Sequence, residues 1–353
     1  MSVTLWPVAP TLEAIRPFVA DCLVGARAWS DILAVATRLP EGTVCYNLEC
    51  RLAEGQQRVD LLAVVRRGEG ARVYAGRAPR RTPRPELFRD ERWRRIRRLF
   101  TSWVDGALER LSPNIWLEFD LDGGGIRVPV PQLGICIDPC MYEPDAHRPP
   151  VTSEAFRGPT EAAIELLRGK PLTRAMRERV RTCIAEAEQP PEGRAIFLGI
   201  TNSRSPNVLR LWSRLKVETV PAYLERIGWK GPGERVCFVL DRLCRPRKGL
   251  VKLEVELQGE ELSPRFGVCT EFCPEGDYRE AWRLLSGLVN LGQCTPEKRE
   301  ALQAWPGTAR AALAPGAWPV RIHRMVDFKF VVWPDGTLET KAYLMVVPLF
   351  SLL

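Results

Sequence analysis

The sequence predicts an α+β fold in which ten antiparallel strands form five hairpins, with helices between one hairpin and the next. Two observations lead to this prediction. Short runs of alternating apolar and polar residues recur in pairs along the chain, which is the pattern of half-buried strands. Segments with apolar residues three and four positions apart separate these pairs, as in amphipathic helices. Five repeats of helix, strand, strand and helix therefore account for most of the 353 residues.

Closure of such a sheet would give a ten-stranded antiparallel β-barrel with an outer ring of helices. A closed sheet has no free edge, its apolar faces pack against the helices, and its polar faces line a lumen. We therefore expect residues 1–353 to form a single barrel-like domain with a binding site in the lumen.

The last hairpin shows the alternation most clearly. Pro334, Asp335 and Gly336 give a tight-turn signal between the β-prone runs 323–332 and 338–346. One face of this hairpin is apolar, and the other carries Asp327, Lys329, Lys341 and Tyr343. The polar face of an antiparallel sheet can simply contact solvent. The recurrence of the pattern in every strand pair favours a lumen instead.

The other four strand pairs are predicted at residues 44–51 with 58–62, 114–121 with 126–138, 194–201 with 207–214, and 250–257 with 265–271. Alternation places polar or aromatic side chains on one face of these strands, among them Asn47, Glu49, Arg51, Trp116, Glu118, Asp120, Arg210, Trp212, Lys252, Glu254 and Glu256.

Helices are predicted over residues 11–37, 86–111, 160–168, 173–188, 217–227, 277–291 and 295–305. Thr11 is the expected N-cap of the first helix. Residues 234–244 fit a helix and a strand equally well.

Composition excludes several classes of protein. No apolar run reaches the roughly 18 residues of a membrane span, and the N-terminus lacks the basic start of a signal peptide, so we expect a cytoplasmic protein. The 11 cysteines are scattered and the only histidines are His147 and His323, which argues against a zinc site and a His-based triad. Phosphate-loop and dinucleotide-binding glycine motifs are absent from the sequence.

The net charge of +8 comes largely from an arginine-dense segment that extends from Arg77 to Arg98. Such a segment can bind a polyanion, so a nucleic-acid partner has to be considered. However, Trp93, Ile96 and Leu99 belong to an apolar helical stripe in the same segment. We favour the arginines as the solvated face of a helix, with no nucleic-acid or membrane partner.

This order of elements resembles the ABBA aromatic prenyltransferases, or PT-barrel family. The resemblance spans residues 11–346 and includes one strand motif, Lys341-Ala342-Tyr343, which has the family's K-x-Y form. It implies a soluble prenyltransferase that transfers an isoprenoid from an allylic diphosphate to an aromatic acceptor. The acceptor would be an indole or a phenol, free or within a peptide. Many members need no metal, so no cofactor is expected, although Mg²⁺ is possible.

The resemblance also implies roles for individual residues. Inward cations and a tyrosine would hold the diphosphate, and the candidates are Arg210, Lys252, Arg265, Lys329, Lys341 and Tyr343. Glu49 matches the acceptor-binding glutamate on the family's first strand, with Glu118 as the second choice. Because the chain has only six tyrosines, Trp116 and Trp212 would shield the carbocation and stack on the acceptor.

Two further hypotheses remain. The same polar face carries Glu49, Asp60, Glu118, Asp120, Glu254, Glu256, Glu271 and Asp327, which would offset most of the cations. Each of these carboxylates can form a structural ion pair between strands. A charge-balanced lumen suits a non-catalytic barrel that binds a small molecule or a peptide. The third hypothesis is a nucleic-acid-associated protein that uses the segment from Arg77 to Arg98.

Overall fold

The structure is a computed structural model that describes residues 7–78, 85–106, 108, 113–121, 128–138, 153–244, 249–270, 278–314 and 316–349. Its helices are α1 (Val8–Ile15), α2 (Ala26–Ala36), α3 (Glu69–Tyr74), α4 (Glu91–Val104), α5 (Ser153–Arg168), α6 (Arg174–Glu188), α7 (Val220–Arg226), α8 (Gly233–Leu243), α9 (Arg279–Asn290) and α10 (Pro296–Ala304). Its strands are β1 (Thr43–Arg51), β2 (Val59–Arg66), β3 (Asn114–Phe119), β4 (Gln132–Cys136), β5 (Arg194–Thr201), β6 (Ser205–Lys216), β7 (Leu250–Gln258), β8 (Glu261–Thr270), β9 (Gly307–Ala311), β10 (Val320–Val332) and β11 (Leu338–Leu349).

Ten of these strands form a closed antiparallel ring. Each pairs with its neighbour in the order β1, β2, β3, β4, β5, β6, β7, β8, β10 and β11, and β11 pairs back to β1. β9 is outside the ring and pairs with the first residues of β10. The predicted ten-stranded barrel is therefore confirmed.

The outer surface of the barrel is apolar, and the helices pack against it. On β7, Val251, Leu253, Val255 and Leu257 are buried in a large hydrophobic core that also includes residues of α6 and α8. The alternate residues of the same strand point inward and are polar. Alternation thus separates a hydrophobic outer wall from a polar interior, as the sequence predicts.

Several helix predictions differ in detail from the structure. The helix expected at residues 11–37 is divided into α1 and α2. Thr11 is not an N-cap, because it lies inside α1 and its hydroxyl donates a hydrogen bond to the Pro7 carbonyl at 2.7 Å. The ambiguous residues 234–244 are mostly the helix α8. α3 and β9 were not predicted.

Some predicted features lie outside the described residues. These are Glu271, His147, the arginines Arg80, Arg81 and Arg84, and residues 122–127 of the second hairpin. In the part of the chain that is described, no helix combines the length and the apolar character that crossing a bilayer requires.

Candidate functional site

A cavity of about 280 Å³ lies inside the barrel. Every strand of the ring contributes to it. Its lining residues are Asn47, Leu62, Trp116, Glu118, Gln132, Leu133, Gly134, Phe197, Ile200, Arg210, Trp212, Lys252, Cys269, Asp327, Lys329, Tyr343 and Met345. Apolar and aromatic side chains with a few polar groups are typical of a small-molecule site.

Three aromatic rings form one wall of the cavity. The Phe197 ring centroid is 6.1 Å from that of Trp116 and 6.2 Å from that of Trp212, and both interplanar angles are 83°. Edge-to-face contacts of this kind are favourable and restrict the rings. Gly199 leaves space for the Trp212 ring, since a Cβ there would lie 2.7 Å from Trp212 Cζ3. The wall therefore presents π-faces and edges in a defined arrangement.

Strands β7, β8, β10 and β11 follow β6 in the ring and provide a more polar part of the wall, with Lys252, Lys329 and Tyr343 among its residues. Burial raises the pKa of the Tyr343 hydroxyl well above its ordinary value, and the nearby Glu49 carboxylate adds to the effect. Tyr343 therefore remains protonated at neutral pH and can donate a hydrogen bond.

Arg210 lies on the boundary between the cavity and a network of ion pairs. Its NH1 group donates to Glu118 Oε2 at 3.1 Å, and its Nε donates to Glu256 Oε1 at 3.1 Å. Burial alone would lower the pKa of Arg210, but the surrounding glutamates, Glu254 first, raise it above the ordinary value. The guanidinium is therefore charged under all relevant conditions.

Glu254 is completely buried and is not among the residues that line the cavity. Its Oε2 accepts a hydrogen bond from Lys329 Nζ at 2.7 Å, and its Oε1 is paired with Arg265. Burial would raise the pKa of Glu254, but Lys329, Arg210 and Arg265 together hold it well below the ordinary value. Arg265 also donates to Glu256 at 2.8 Å.

Glu49 has a similar environment on the other side of the barrel. Its Oε1 is 2.8 Å from Lys341 Nζ and 3.2 Å from Arg51 NH2, and Arg51 also donates to Asp60 at 2.6 Å. Lys341 and Arg51 outweigh the effect of burial, so the pKa of Glu49 is well below its ordinary value. Glu49 is therefore an ionised member of a buried cluster.

Asp120 directly follows β3 and extends the ion-pair network to residues that directly precede β6. It accepts hydrogen bonds from Arg58, Gln132, Ser203 and Arg204 at distances between 2.6 and 3.0 Å. Burial opposes ionisation of Asp120, but these donors lower its pKa below the ordinary value.

The network lies near the hairpin turns, and the cavity extends away from them. Along β3, β6 and β11, the cavity residues Trp116, Trp212 and Met345 are each two positions farther from the turn than Glu118, Arg210 and Tyr343. Buried cations and carboxylates in the network are closely matched, as the sequence led us to expect. The cavity consequently has Trp116 and Trp212 in its part far from the hairpin turns and a polar, nearly neutral floor near them.

Glu118 differs from the other interior glutamates. Burial raises its pKa above the ordinary value, because Arg210 only partly compensates and the Glu49 charge adds to the effect. It also lines the cavity, whereas Glu49 and Glu254 are not among the lining residues. A carboxylate with a raised pKa at a cavity wall can act as a proton acceptor near neutral pH.

The predicted site residues thus fall into two groups. Glu118, Arg210, Lys252, Lys329, Tyr343, Trp116 and Trp212 line the cavity. Glu49, Arg265 and Lys341 lie within the ion-pair network and are not among the lining residues. Sequence reasoning did not select Asn47, Gln132 or Phe197, although alternation had already placed Asn47 on the polar face.

The described arginines of the segment from Arg77 to Arg98 mostly contact groups of this chain. Arg92 pairs with Asp90, and Arg94 and Arg98 pair with Glu91. Arg95 donates to the Arg168 carbonyl, and Arg97 lies over the Phe88 ring at 5.0 Å. α4 buries its apolar stripe, so this face has the character of a solvated helix surface.

Among the described residues, no group of three or more His, Cys, Asp or Glu side chains is arranged to hold a metal ion.

Comparison with known proteins identifies the fold. No protein-family model and no curated protein matches the sequence. Among solved structures, AnaPT from Neosartorya fischeri is similar over 85% of this chain and 77% of its own, with a TM-score of 0.53 and 14% identity. NotF prenyltransferase is similar over 86% of this chain and 80% of its own, with a TM-score of 0.45 and 10% identity. The likeness to AnaPT, with the closed ring of ten strands, shows that this chain has the ABBA, or PT-barrel, fold.

Proposed function

We propose that the protein is an aromatic prenyltransferase that transfers an isoprenoid from an allylic diphosphate to an aromatic acceptor inside the barrel. One observation carries the proposal: the same cavity of this PT barrel is lined by three aromatic rings, Trp116, Phe197 and Trp212, and by three cations, Arg210, Lys252 and Lys329. Cleavage of an allylic diphosphate needs cations for the leaving group and π-faces for the carbocation, and both are provided.

The first step breaks the bond between the allylic carbon and the diphosphate oxygen. The electron pair leaves with pyrophosphate, so negative charge develops on the leaving group. In the proposed mechanism, Arg210, Lys252 and Lys329 stabilise this charge and the Tyr343 hydroxyl donates a hydrogen bond to it. Donors that are already oriented in a site with little water lower the barrier, because they need no reorganisation during the reaction.

The second step joins the allylic cation to a ring carbon of the acceptor. Trp116 and Trp212 shield the cation and attract it through their π-faces, which limits its capture by water. The ring carbon then loses its proton, and we assign the proton to Glu118. Protonation neutralises Glu118, so the charge of Arg210 becomes more available to pyrophosphate.

The test uses dimethylallyl, geranyl and farnesyl diphosphates, each with a panel of indoles and phenols. We expect acceptor-dependent pyrophosphate release and a product whose mass has increased by one prenyl group. Lys329→Met should reduce the rate strongly, while Lys216→Met, which removes a lysine that is 40% exposed on its side chain, should not. Absence of pyrophosphate release with every donor and acceptor would refute the proposal.

The second candidate function is a barrel that binds a ligand without chemistry. It is favoured by the carboxylate partners of the interior cations, since Arg210, Lys329 and Lys341 all contact glutamates. A diphosphate would have to compete with these partners for the cations. Saturable binding of an aromatic ligand by calorimetry, with no pyrophosphate release from any donor, would select this function.

A further inference from the structure

The first residues of β10 belong to a three-stranded extension of the barrel, together with β9 and the end of β11. β8 pairs only with residues 328–332 of β10, whereas residues 321–324 pair with β9 on one side and with β11 on the other. We call residues 307–314, 316–324 and 346–349 the β9 extension. It lies at the end of the barrel that is far from the β10–β11 turn.

The β9 extension is rich in positive charge. Residues 301–326 contain no Asp or Glu, but they include Arg310, Arg321 and Arg324. Arg310 and Arg321 are directly opposite each other in the β9–β10 pairing, and Leu349 is opposite Arg321 on the other side. Like charges directly opposite each other destabilise a sheet. Two arginines in this position therefore suit an anionic partner that lies outside the chain.

Large apolar side chains are exposed at the same place. Trp318, in the connection between β9 and β10, is 84% exposed, and Leu349 is 45% exposed. Phe18 is 43% exposed, and its ring centroid lies 3.9 Å from Cζ of Arg324. These three are among only five exposed large hydrophobic side chains in the described part of the chain. Isolated exposed apolar residues are common, but a cluster marks an interaction surface.

The combination of cations with exposed apolar side chains favours the surface of an anionic bilayer as the partner. Tryptophan is enriched at the level of the lipid headgroups, and arginines close to an anionic leaflet are attracted to it. A single-stranded nucleic acid binds a groove along which its bases stack on aromatic rings. Trp318 instead protrudes into solvent, and the aliphatic Leu349 beside Arg321 provides no ring for stacking.

We propose that the β9 extension binds the surface of an anionic bilayer, with Trp318 and Leu349 at the level of the headgroups and Arg310 and Arg321 beside their negative charges. Arg321 is on the same face of β10 as the cavity residue Lys329. The bilayer would therefore face the end of the barrel toward which the cavity extends. The sequence led us to expect no membrane partner because no segment can span a bilayer, but contact with its surface requires no such segment. The proposal does not depend on transferase activity.

The test measures cosedimentation of the wild-type protein with sucrose-loaded vesicles, without any substrate. The vesicles contain phosphatidylcholine alone or an equal mixture of phosphatidylcholine and phosphatidylserine. Binding should require phosphatidylserine. It should also be lost when the ionic strength rises from about 0.1 M to about 1 M, because the Debye length falls from about 10 Å to about 3 Å.

Two variants test the residues of the β9 extension. Trp318→Ala should weaken binding to the mixed vesicles by about tenfold, because it removes apolar surface that the bilayer would cover. The double variant Arg310→Gln, Arg321→Gln should also weaken binding by about tenfold, because it removes two charges close to the headgroups.

Each variant has a matched control. Trp333→Ala removes another exposed tryptophan, which directly follows β10 at the opposite end of the barrel. The double variant Arg94→Gln, Arg98→Gln removes the same charge from the solvated face of α4. Both controls should bind vesicles as the wild type does. Because Trp318 is largely exposed, its replacement should leave the unfolding temperature unchanged.

Equal binding to the two vesicle compositions would overturn the proposal, as would equal losses in the controls and in the variants of the β9 extension. Retention of single-stranded RNA that requires Arg310 and Arg321, without vesicle binding, would assign this surface to a nucleic acid instead. A dimer that Trp318→Ala converts to a monomer, again without vesicle binding, would assign it to a second copy of the chain.

Discussion

Lys341 Nζ and Glu49 Oε1 lie 2.8 Å apart across the junction of β11 and β1, where the barrel closes. Both side chains are almost completely buried. This contact joins the last strand of the ring to the first. It also belongs to the buried ion-pair network at the floor of the cavity.

Lys341→Met should lower the free energy of unfolding by about 3 kcal/mol, because it leaves Glu49 buried with less compensation. Urea denaturation measures the change. Arg174→Met is the control, since the Arg174–Glu178 pair is exposed and its loss should cost less than about 0.5 kcal/mol. The double variant Glu49→Gln, Lys341→Met should recover part of the loss, and additive effects would contradict the coupling.

Acid should destabilise the barrel through Glu254. Its pKa in the folded state is well below the ordinary value, so its stabilising contribution is complete above the unfolded pKa of about 4.3. The contribution is lost as pH falls through the folded-state pKa. Glu254→Gln should therefore be less stable than the wild type at pH 7 and less sensitive to pH below 4.3. Parallel stability curves for the two proteins would contradict this role.

Glu118→Gln should reduce kcat by about 10²- to 10⁴-fold if Glu118 accepts the proton. The wild-type rate should rise with pH through the raised pKa of Glu118, and this rise should disappear in the variant. Glu256→Gln is the matched control, because Glu256 also bonds Arg210 but does not line the cavity. Equal losses in the two variants would show that Glu118 acts only through Arg210.

Trp116→Leu should increase the fraction of prenyl alcohol among the products, because water reaches the carbocation more easily when a π-face is removed. Chromatographic separation of prenyl alcohol and prenylated acceptor measures the partition. Trp282→Leu is the control, since Trp282 belongs to α9 and stacks on Tyr278 outside the cavity. An unchanged partition in Trp116→Leu would exclude the shielding role.

The fold was largely predictable because alternation is a local property. Runs such as residues 250–257 specify which side chains point inward, and the tight turns specify which strands pair. Short segments without alternation were missed. β9 has the sequence GTARA, and three of its five residues are exposed, so its pairing depends on its position beside β10.

The site was less predictable because its contacts depend on register and on distant strands. The sequence placed Glu254 and Lys329 on inner faces, but their strands, β7 and β10, are not directly paired in the sheet. The pairing of β8 with both β7 and β10 brings these side chains together, and no local pattern in the sequence specifies that β10 follows β8 in the sheet. The same difficulty applies to Arg210 and Glu118. Their side chains are hydrogen-bonded although their strands, β6 and β3, are not directly paired.

The pairing of β11 with both β10 and β1 also has a consequence for biosynthesis. Contacts between β1 and β11 join residues from opposite ends of the chain, such as Tyr46 and Val346, and contacts this distant in sequence form slowly. Until Leu338–Leu349 has left the ribosome, β1 and β10 each expose an unpaired edge. We therefore expect the nascent sheet to be prone to aggregate until β11 has paired with both of its neighbours.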